Sequence, residues 1–251
     1  MKKFVKILAV VLAIVLSATV LYACGGKEVE TGREKLVMGT NAAFPPYEYY
    51  EGDTIVGIDA EVGALIAEKL DMDFEIMDMD FNGIISAVQN GVVDIGMAGM
   101  TVREDRLEHV NFSTTYAKGV QVVIVKEGSD IATLDDLSGK KIGVQEATTG
   151  DAYASEDYGE ENVKRYTNGA AAVAALQSGI VDAVIIDNEP AKAFVEANEG
   201  LTILETAYAD EDYAIAVAKE NTELLEKINT ALAELTADGS IDAIVNKYIP
   251  A

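Results

Sequence analysis

Two segments of the chain are near copies of each other. Ala87–Ile95 reads AVQNGVVDI and Ala175–Ala183 reads ALQSGIVDA. In each copy, apolar residues at helical spacing precede a glycine suited to the left-handed conformation that ends a helix, and a short apolar run with an aspartate then predicts a strand. The chain therefore uses one helix–strand unit twice, which indicates two similar α/β halves.

Polar residues of different charge follow the two copies. Gly99, Thr101 and Arg106 follow the first copy, and Asp187 follows the second. Ligands of open α/β sheets bind beyond the carboxyl ends of the strands, so each half is expected to contribute a charged group to a shared crevice. A cation from one half and an anion from the other suit a zwitterionic ligand.

The start of the chain differs from the rest. Lysines precede an apolar run over residues 7–16, and small residues follow. This order is typical of a secretory signal, so residues 1–23 are predicted to be a signal peptide. The alternative is a permanent single-span anchor over Phe4–Ala23, which is just long enough to cross a bilayer.

Cys24, the single cysteine, directly follows this segment. Together with Leu21–Ala23 it resembles the lipobox at which bacterial signal peptidases cut before the cysteine is lipidated, although Tyr22 lies where a small residue is preferred. Cys24 is therefore predicted to carry a lipid that holds the protein to the outer face of the cell membrane, with residues 24–34 as a flexible tether.

Composition excludes several classes of function. The formal net charge of -24 disfavours nucleic acid as a partner, because such a surface repels phosphate backbones. The single histidine, His109, lies in a polar stretch and is predicted to be a surface residue, so histidine-based triads and metal clusters lack their parts. No phosphate-binding loop and no spaced calcium ligands occur, and no cofactor or metal is expected.

From Lys35 onward, apolar runs alternate with amphipathic stretches, as in α/β proteins. Asn41–Tyr50, with its two prolines, is predicted to be a loop, and Tyr213–Ala218 a last strand before two closing helices. The chain is expected to cross between lobes near Tyr116–Val120 and near Ala209–Tyr213, which makes a two-strand hinge.

The crossing points define two predicted lobes. The first lobe comprises residues 35–117 plus 213–251, and the second comprises residues 118–212. A hinge of two strands lets the lobes close around a small ligand that contacts both of them.

Several motifs in a fixed order resemble those of one known family. The chain is similar to the periplasmic solute-binding proteins of ABC transporters, in particular the polar amino-acid group. The motifs are Gly39–Tyr49, Gly57–Asp59, Phe81–Gly91, Asp94–Phe112, Thr148–Thr149 and Val181–Asp187. The resemblance implies a two-lobed periplasmic-binding-protein fold of type II, in which each lobe is a mixed sheet flanked by helices.

The resemblance also implies the two charged contacts to the ligand. Arg106 matches the arginine that pairs with the α-carboxylate, which a planar guanidinium binds in bidentate fashion. Asp187 matches the carboxylate that binds the α-ammonium group. The alternatives are a surface ion pair for Arg106, which is also the interpretation of Arg103, and an N-cap role for Asp187 before the helix near Pro190.

Other residues match further parts of the family's site. Gly99 and Thr101 match positions that hold the amino-acid head group, and Thr149 matches a second donor to its carboxylate. Phe44 and Phe81 match two aromatic walls around the aliphatic part of the ligand, with core packing as the alternative.

The side-chain specificity stays open at this point. Asn41 and Gln145 lie at positions that face the ligand's side chain, and two amides favour an uncharged polar or amide-bearing ligand. Glu48 and Glu146 favour a basic ligand instead, because a carboxylate attracts lysine, arginine or histidine.

The resemblance implies a monomeric, non-enzymatic binder of a polar L-amino acid that delivers its ligand to the transmembrane subunits of an ABC permease. The alternative is an enzyme similar to cyclohexadienyl or arogenate dehydratases, with Glu146 as the general acid. A third class, the sensing domain of a receptor, shares the fold.

Overall fold

The computed structural model describes residues 33–205 and 207–250. The predicted signal peptide, Cys24 and the tether up to residue 32 lie outside the described residues. Within the described ranges, no helix has the length and apolar character needed to cross a membrane.

Strands and helices alternate along the described chain. The strands are β1 (Lys35–Thr40), β2 (Ala43–Phe44), β3 (Glu48–Glu51), β4 (Thr54–Val56), β5 (Asp73–Asp78), β6 (Ile95–Gly96), β7 (Val110–Phe112), β8 (Ala117–Lys126), β9 (Ile142–Gln145), β10 (Val163–Tyr166), β11 (Ala183–Asp187), β12 (Leu201–Ile203), β13 (Ala209–Tyr213) and β14 (Ala216–Ala218). The helices are α1 (Ile58–Lys69), α2 (Phe81–Gln89), α3 (Glu104–Leu107), α4 (Thr149–Tyr158), α5 (Gly169–Gln177), α6 (Asn188–Ala197), α7 (Thr222–Ala237) and α8 (Ser240–Tyr248). Short 3₁₀ turns cover Leu134–Leu137 and Glu160–Asn162.

The strands form two mixed sheets, which define the two lobes. The first sheet has the order β5-β1-β6-β14-β7, and the second has the order β10-β9-β11-β8-β12, with β13 also paired to β8. Each sheet contains parallel and antiparallel pairs. A small antiparallel sheet of β2, β3 and β4 accompanies the first. The predicted two-lobed α/β fold is confirmed.

The hinge consists of β8 and β13, which pair with each other. Their antiparallel register runs from Ala117 opposite Tyr213 to Gln121 opposite Ala209. The chain enters the second sheet through β8 and leaves it through β13, so the two crossing strands form one hydrogen-bonded ladder.

The two copies of the repeat have the same structure. The glycine of each copy ends its helix with a positive φ, 65° in the first and 75° in the second. Asp94 accepts a hydrogen bond from the Val37 backbone N–H at 2.8 Å, and Asp182 accepts one from the Lys141 backbone N–H at 2.8 Å. The repeated aspartate therefore ties its segment to the neighbouring chain at the start of β1 or β9.

Helices cover both faces of the first sheet. On one face α1 and α7 pack with Leu36, Ile66 and Ile228 buried, and on the other α2 buries Ile84 and Val88. Removing these apolar side chains from water stabilises the first lobe by roughly 25 cal/mol per Å² of apolar surface buried.

Two sequence-based predictions of secondary structure were wrong. Asn41–Tyr50 is a hairpin of β2 and β3 rather than a loop, because the two prolines occupy its turn and leave the flanking residues free to pair. Tyr213–Ala218 is not one strand: β13 ends at Tyr213 and β14 begins at Ala216, since the chain passes from the second sheet to the first between them.

Candidate functional site

A pocket lies between the lobes, where several strands end. Asn41 follows β1, Gly99 follows β6, Gln145 ends β9 and Asp187 ends β11. The pocket is lined by Asn41, Phe44, Glu48, Phe81, Ala98, Gly99, Gln145, Thr148, Thr149 and Asp187. Most of the predicted site residues therefore meet in one pocket, and the remaining two, Thr101 and Arg106, lie next to it.

Arg106 is a buried cation beside the pocket. Only 4% of the residue is exposed, and its Nη1 and Nη2 donate to the carbonyl oxygens of Thr101 at 2.8 Å and Ala147 at 3.0 Å. Its guanidinium carbon lies 5.4 Å from the centre of the Phe81 ring. Burial, and to a smaller extent the charge of Arg103, lowers the pKa of Arg106 to about 10, so the group stays charged at neutral pH. The alternative of a surface ion pair does not describe Arg106.

Arg103, three positions earlier, differs from Arg106. Its Nη2 lies 2.6 Å from the Asp105 carboxylate, which confirms the predicted surface ion pair. Its Nη1 also donates to the carbonyl oxygen of Thr148 in the second lobe at 3.0 Å. Arg103 thus contacts the second lobe without lining the pocket.

Asp187 presents its carboxylate to the pocket. It occupies the N-cap position of α6, but its side chain makes no capping hydrogen bond. Instead the Tyr213 hydroxyl donates to its Oδ1. Burial raises the pKa of Asp187 to about 6, while hydrogen bonds from Tyr213 and Gln121 and the charge of Arg106 oppose that rise. Asp187 therefore lies at the N-cap position, as the alternative interpretation predicted, but its side chain does not cap the helix.

Besides the Tyr213–Asp187 bond, three hydrogen bonds between side chains join the lobes in and around the pocket. They connect Gln145 Nε2 to Asn41 Oδ1 (2.9 Å), Thr149 Oγ1 to Thr101 Oγ1 (3.1 Å) and Asn82 Nδ2 to Glu146 Oε2 (3.0 Å). Each bond needs both lobes in contact, so the structure shows the lobes closed.

Gly99 lets an aromatic ring approach the backbone. Its φ is 51°, and a Cβ atom there would lie 2.8 Å from the Phe44 ring. Its N–H donates to Asp59 Oδ2 at 2.9 Å, and Tyr116 donates its hydroxyl to Asp59 Oδ1 at 2.7 Å. The Asp59 carboxylate therefore fixes the backbone on which Gly99 lies.

Sequence reasoning missed several buried groups near the pocket. Asp59 is fully buried and Glu211 is 2% exposed, and burial raises their pKa values to about 6 and about 7. Tyr213, also fully buried, stacks edge-on against Tyr47 with the ring centres 5.1 Å apart. Of these three residues, only Asp59 could have been found near the pocket from the sequence, because it belongs to the Gly57–Asp59 motif.

Other candidates lie away from the pocket. Glu146 and His109 are exposed on the surface. Glu146 bonds to Asn82 and does not line the pocket, so the residue named as general acid for the dehydratase alternative lies outside it. In the part of the chain that the structure describes, no group of histidine, cysteine and carboxylate side chains is placed to hold a metal ion.

Comparison with known proteins gives consistent matches along the chain. Residues 36–251 match the model of the bacterial extracellular solute-binding proteins, family 3. The arginine-binding extracellular protein ArtP of Bacillus subtilis is 34% identical over 91% of this chain and 92% of its own length. An ancestral arginine-binding protein bound to glutamine superposes with a TM-score of 0.83 at 42% identity, covering 87% of this chain and 99% of that one. The arginine-, lysine-, histidine-binding protein ArtJ of Geobacillus stearothermophilus superposes with a TM-score of 0.83 at 34% identity, covering 87% of this chain and 96% of that one.

Proposed function

Because the chain belongs to the bacterial extracellular solute-binding proteins of family 3, we propose that it binds a polar L-amino acid between its lobes and delivers it to the transmembrane subunits of an ABC permease. ArtP is named as an arginine-binding protein and ArtJ as an arginine-, lysine- and histidine-binding protein, which supports a ligand with a polar or basic side chain. The family is extracellular, so the binding takes place outside the cytoplasm.

The observation that carries this proposal is the meeting of two opposite charges from different lobes. Arg106 belongs to the first sheet's part of the chain, and Asp187 ends β11 of the second sheet. A guanidinium has five N–H groups, and the two bonds to carbonyl oxygens leave three for a ligand carboxylate. In the proposal Arg106 binds the α-carboxylate and Asp187 binds the α-ammonium group.

The remaining pocket residues complete the proposed site. Gly99, Thr101 and Thr149 bind the head group, because Gly99 and Thr149 line the pocket and the Thr101 hydroxyl is hydrogen-bonded to that of Thr149. Phe44 and Phe81 enclose the aliphatic part of the ligand, and both line the pocket. A ligand held by both lobes stabilises their closed arrangement.

The proposal includes the arrangement of the whole chain. The first lobe comprises residues 35–117 and 213–251, the second comprises residues 118–212, and the protein acts as a monomer. Residues 1–23 are removed as a signal peptide, and Cys24 carries the lipid anchor. Metabolic labelling with a fatty acid would then mark the wild type and not the Cys24→Ala variant, whereas an unlipidated membrane span would leave both unlabelled.

Binding of amino acids tests the function directly. We expect isothermal titration of the standard L-amino acids to find one tight site, because the proposed head-group contacts comprise one guanidinium, that of Arg106, and one carboxylate, that of Asp187. Arg106→Ala and Asp187→Asn should each abolish it while the variants stay folded by circular dichroism. Failure of every standard amino acid to bind would contradict the proposal. Turnover of arogenate would favour the enzyme alternative instead.

A further inference from the structure

Tyr213 reaches across β8, one strand of the hinge, to Asp187. Tyr213 ends β13 opposite Ala117 of β8. Asp187 ends β11 opposite Gln121 of β8. Alternate residues of a strand share a face, so Gly119 lies on that face midway between the two positions. A Cβ atom at Gly119 would overlap the Tyr213 hydroxyl oxygen and lie 3.1 Å from Asp187 Oδ1, so the hydroxyl and the carboxylate meet over this glycine.

The first lobe holds Tyr213 in place. Its carbonyl oxygen accepts a hydrogen bond from the Tyr116 N–H at 3.0 Å, and its backbone forms a β-bridge with Thr101. Its ring lies edge-on against Tyr47, in the turn between β2 and β3, and the residue is fully buried. Its hydroxyl, however, donates to Oδ1 of Asp187 in the second lobe. The bond to Asp187 therefore depends on the position of the second lobe relative to the first.

The Tyr213 hydroxyl stays a donor at neutral and acidic pH. Burial, and to a smaller extent the charge of Asp187, raises the pKa of Tyr213 well above its ordinary value. A hydroxyl that donates to a carboxylate favours the ionised carboxylate, and this bond opposes the rise that burial causes in the pKa of Asp187. A carboxylate accepts about four hydrogen bonds, so those from Tyr213 and Gln121 leave about two for an ammonium group.

The other titratable groups that face Asp187 give its charge little support. They are Arg106 of α3, Glu211 of β13, Glu48 of β3 and Tyr47. Arg106 favours the ionised form of Asp187, whereas the charge of Asp187 raises the pKa values of the other three groups, whose ionised forms repel it. The Tyr213 hydroxyl is therefore one of the few groups that stabilise the Asp187 charge before a ligand's ammonium group arrives.

Building on the proposed function, we infer that Tyr213 is a positioning residue whose hydroxyl keeps the Asp187 carboxylate ionised and oriented for the ligand's ammonium group in the closed protein. Tyr213 does not line the pocket, so it acts on the ligand only through Asp187. Because the first lobe holds Tyr213, the hinge strand β13 takes part in recognition of the head group as well as in movement of the lobes.

Tyr213→Phe tests the inference, because it removes the hydroxyl and keeps the ring. The probe is the standard L-amino acid that the wild type binds most tightly, and isothermal titration between pH 5.5 and pH 8.5 gives its affinity. As the pH falls, affinity is lost when Asp187 takes up a proton, and without the hydroxyl bond Asp187 takes it up at a higher pH. The pH of half-maximal affinity should therefore move upwards by about one unit, the shift that one hydrogen bond to a charged group supplies. A purely structural role would lower the affinity equally at every pH.

Tyr47→Phe is the matched control. It removes the hydroxyl of the neighbouring buried tyrosine, which donates to the Lys118 carbonyl oxygen at 3.3 Å rather than to a carboxylate. Circular dichroism checks that both variants fold, and Tyr47→Phe should keep the pH dependence of the wild type. The inference is overturned if folded Tyr213→Phe also keeps it, or if both variants show the same shift.

Replacement of Tyr213 by 3-fluorotyrosine tests the inference even if Tyr213→Phe does not fold, because it keeps the hydroxyl and makes it a stronger donor. The pH of half-maximal affinity should then move downwards, and an unchanged or higher value overturns the inference. If no standard L-amino acid binds the wild type, the proposed function itself is wrong, and the role of Tyr213 with it. If one binds with the same pH dependence in the wild type and in Tyr213→Phe, only the role of Tyr213 is wrong.

Discussion

Arg106 of the first lobe donates a hydrogen bond from Nη2 to the backbone carbonyl oxygen of Ala147 in the second lobe, at 3.0 Å. Ala147 has a φ of 63°, which is uncommon for a residue with a side chain. Its N–H donates to Asp151 Oδ2 at 3.0 Å, which holds the turn in place. The residue proposed to bind the ligand's carboxylate thus also contacts the closing lobe, so ligand binding and lobe closure depend on the same guanidinium.

Substitution of Arg106 by lysine should weaken amino-acid binding strongly. Lysine keeps the charge but loses the planar fork that binds a carboxylate and the two carbonyl oxygens together. We expect an affinity at least about 10-fold lower, from the loss of one or more charge-assisted hydrogen bonds. Isothermal titration measures it, with Arg103→Lys as the matched control because the Arg103 guanidinium already pairs with the exposed Asp105 carboxylate. Similar losses in both variants would contradict the assignment of Arg106.

Addition of a methyl group at Gly119 should disturb the Asp187 site. A Cβ atom there would lie 2.1 Å from the Tyr213 hydroxyl oxygen and 3.1 Å from Asp187 Oδ1. The Tyr213 ring has no room to move, because it is fully buried. Gly119→Ala should therefore lower the free energy of unfolding by about 1–3 kcal/mol and weaken ligand binding.

Gly83→Ala is the control for this substitution. A Cβ atom at Gly83 meets nothing within 4 Å, and the residue lies inside α2. Alanine there should raise the free energy of unfolding by about 0.5–1 kcal/mol through helix propensity. Urea unfolding measures both variants, and equal effects would contradict the close contact at Gly119.

Stability and affinity should depend on pH with opposite signs. Burial raises the pKa of Asp59 and of Asp187 to about 6 and that of Glu211 to about 7 in the folded protein. Between pH 7.5 and 5.5 the folded state therefore binds more protons than the unfolded state, and the free energy of unfolding should rise as the pH falls. Ligand affinity should fall over the same range, because a protonated Asp187 no longer attracts an ammonium group.

Urea unfolding of the protein without ligand and isothermal titration, each at pH 7.5, 6.5 and 5.5, measure the two trends. A free energy of unfolding that decreases towards pH 5.5 would show that folding does not raise the pKa values of these carboxyl groups. An affinity that does not change would argue against the role of Asp187.

The hydrogen bond between Gln145 and Asn41 should slow ligand release. It is part-buried and joins the lobes across the pocket, so Gln145→Ala should increase the dissociation rate several-fold, within the range of one neutral hydrogen bond. Asn82→Ala removes the exposed bond to Glu146 and should have a smaller effect. Stopped-flow fluorescence measures both dissociation rates. A rate in Asn82→Ala that equals or exceeds the rate in Gln145→Ala would contradict the idea that Gln145 holds the lobes closed.

The two repeat copies and the hinge were predictable from the sequence, because each depends on local signals. The glycines of the copies and the apolar runs after them fix a helix end and a strand with few alternatives. Arg106 and Asp187 were predicted through the motifs around them; Asp187 lies in the pocket at the end of its strand, and Arg106 lies next to the pocket in a short helix. Their roles in binding stay predictions.

Buried carboxyl groups were harder to predict. Glu211 lies between Asp210 and Asp212, and a run of acidic residues is typical of a solvated surface. The burial along β13 alternates, with Glu211 and Tyr213 inside and Asp210 and Asp212 exposed or nearly so. The sequence predicted a crossing strand near Ala209–Tyr213, but no pattern of apolar residues showed that the face carrying Glu211 and Tyr213 is the buried one.

The register of the hinge places Ala117 opposite Tyr213, so the chain enters and leaves the second lobe at neighbouring points. A segment with adjacent ends can be exchanged as a cassette without displacing the rest of the molecule. Grafting the second lobe of a relative between these two residues would therefore combine one protein's Arg106 half with another protein's Asp187 half, and would assign ligand preference to one lobe or the other.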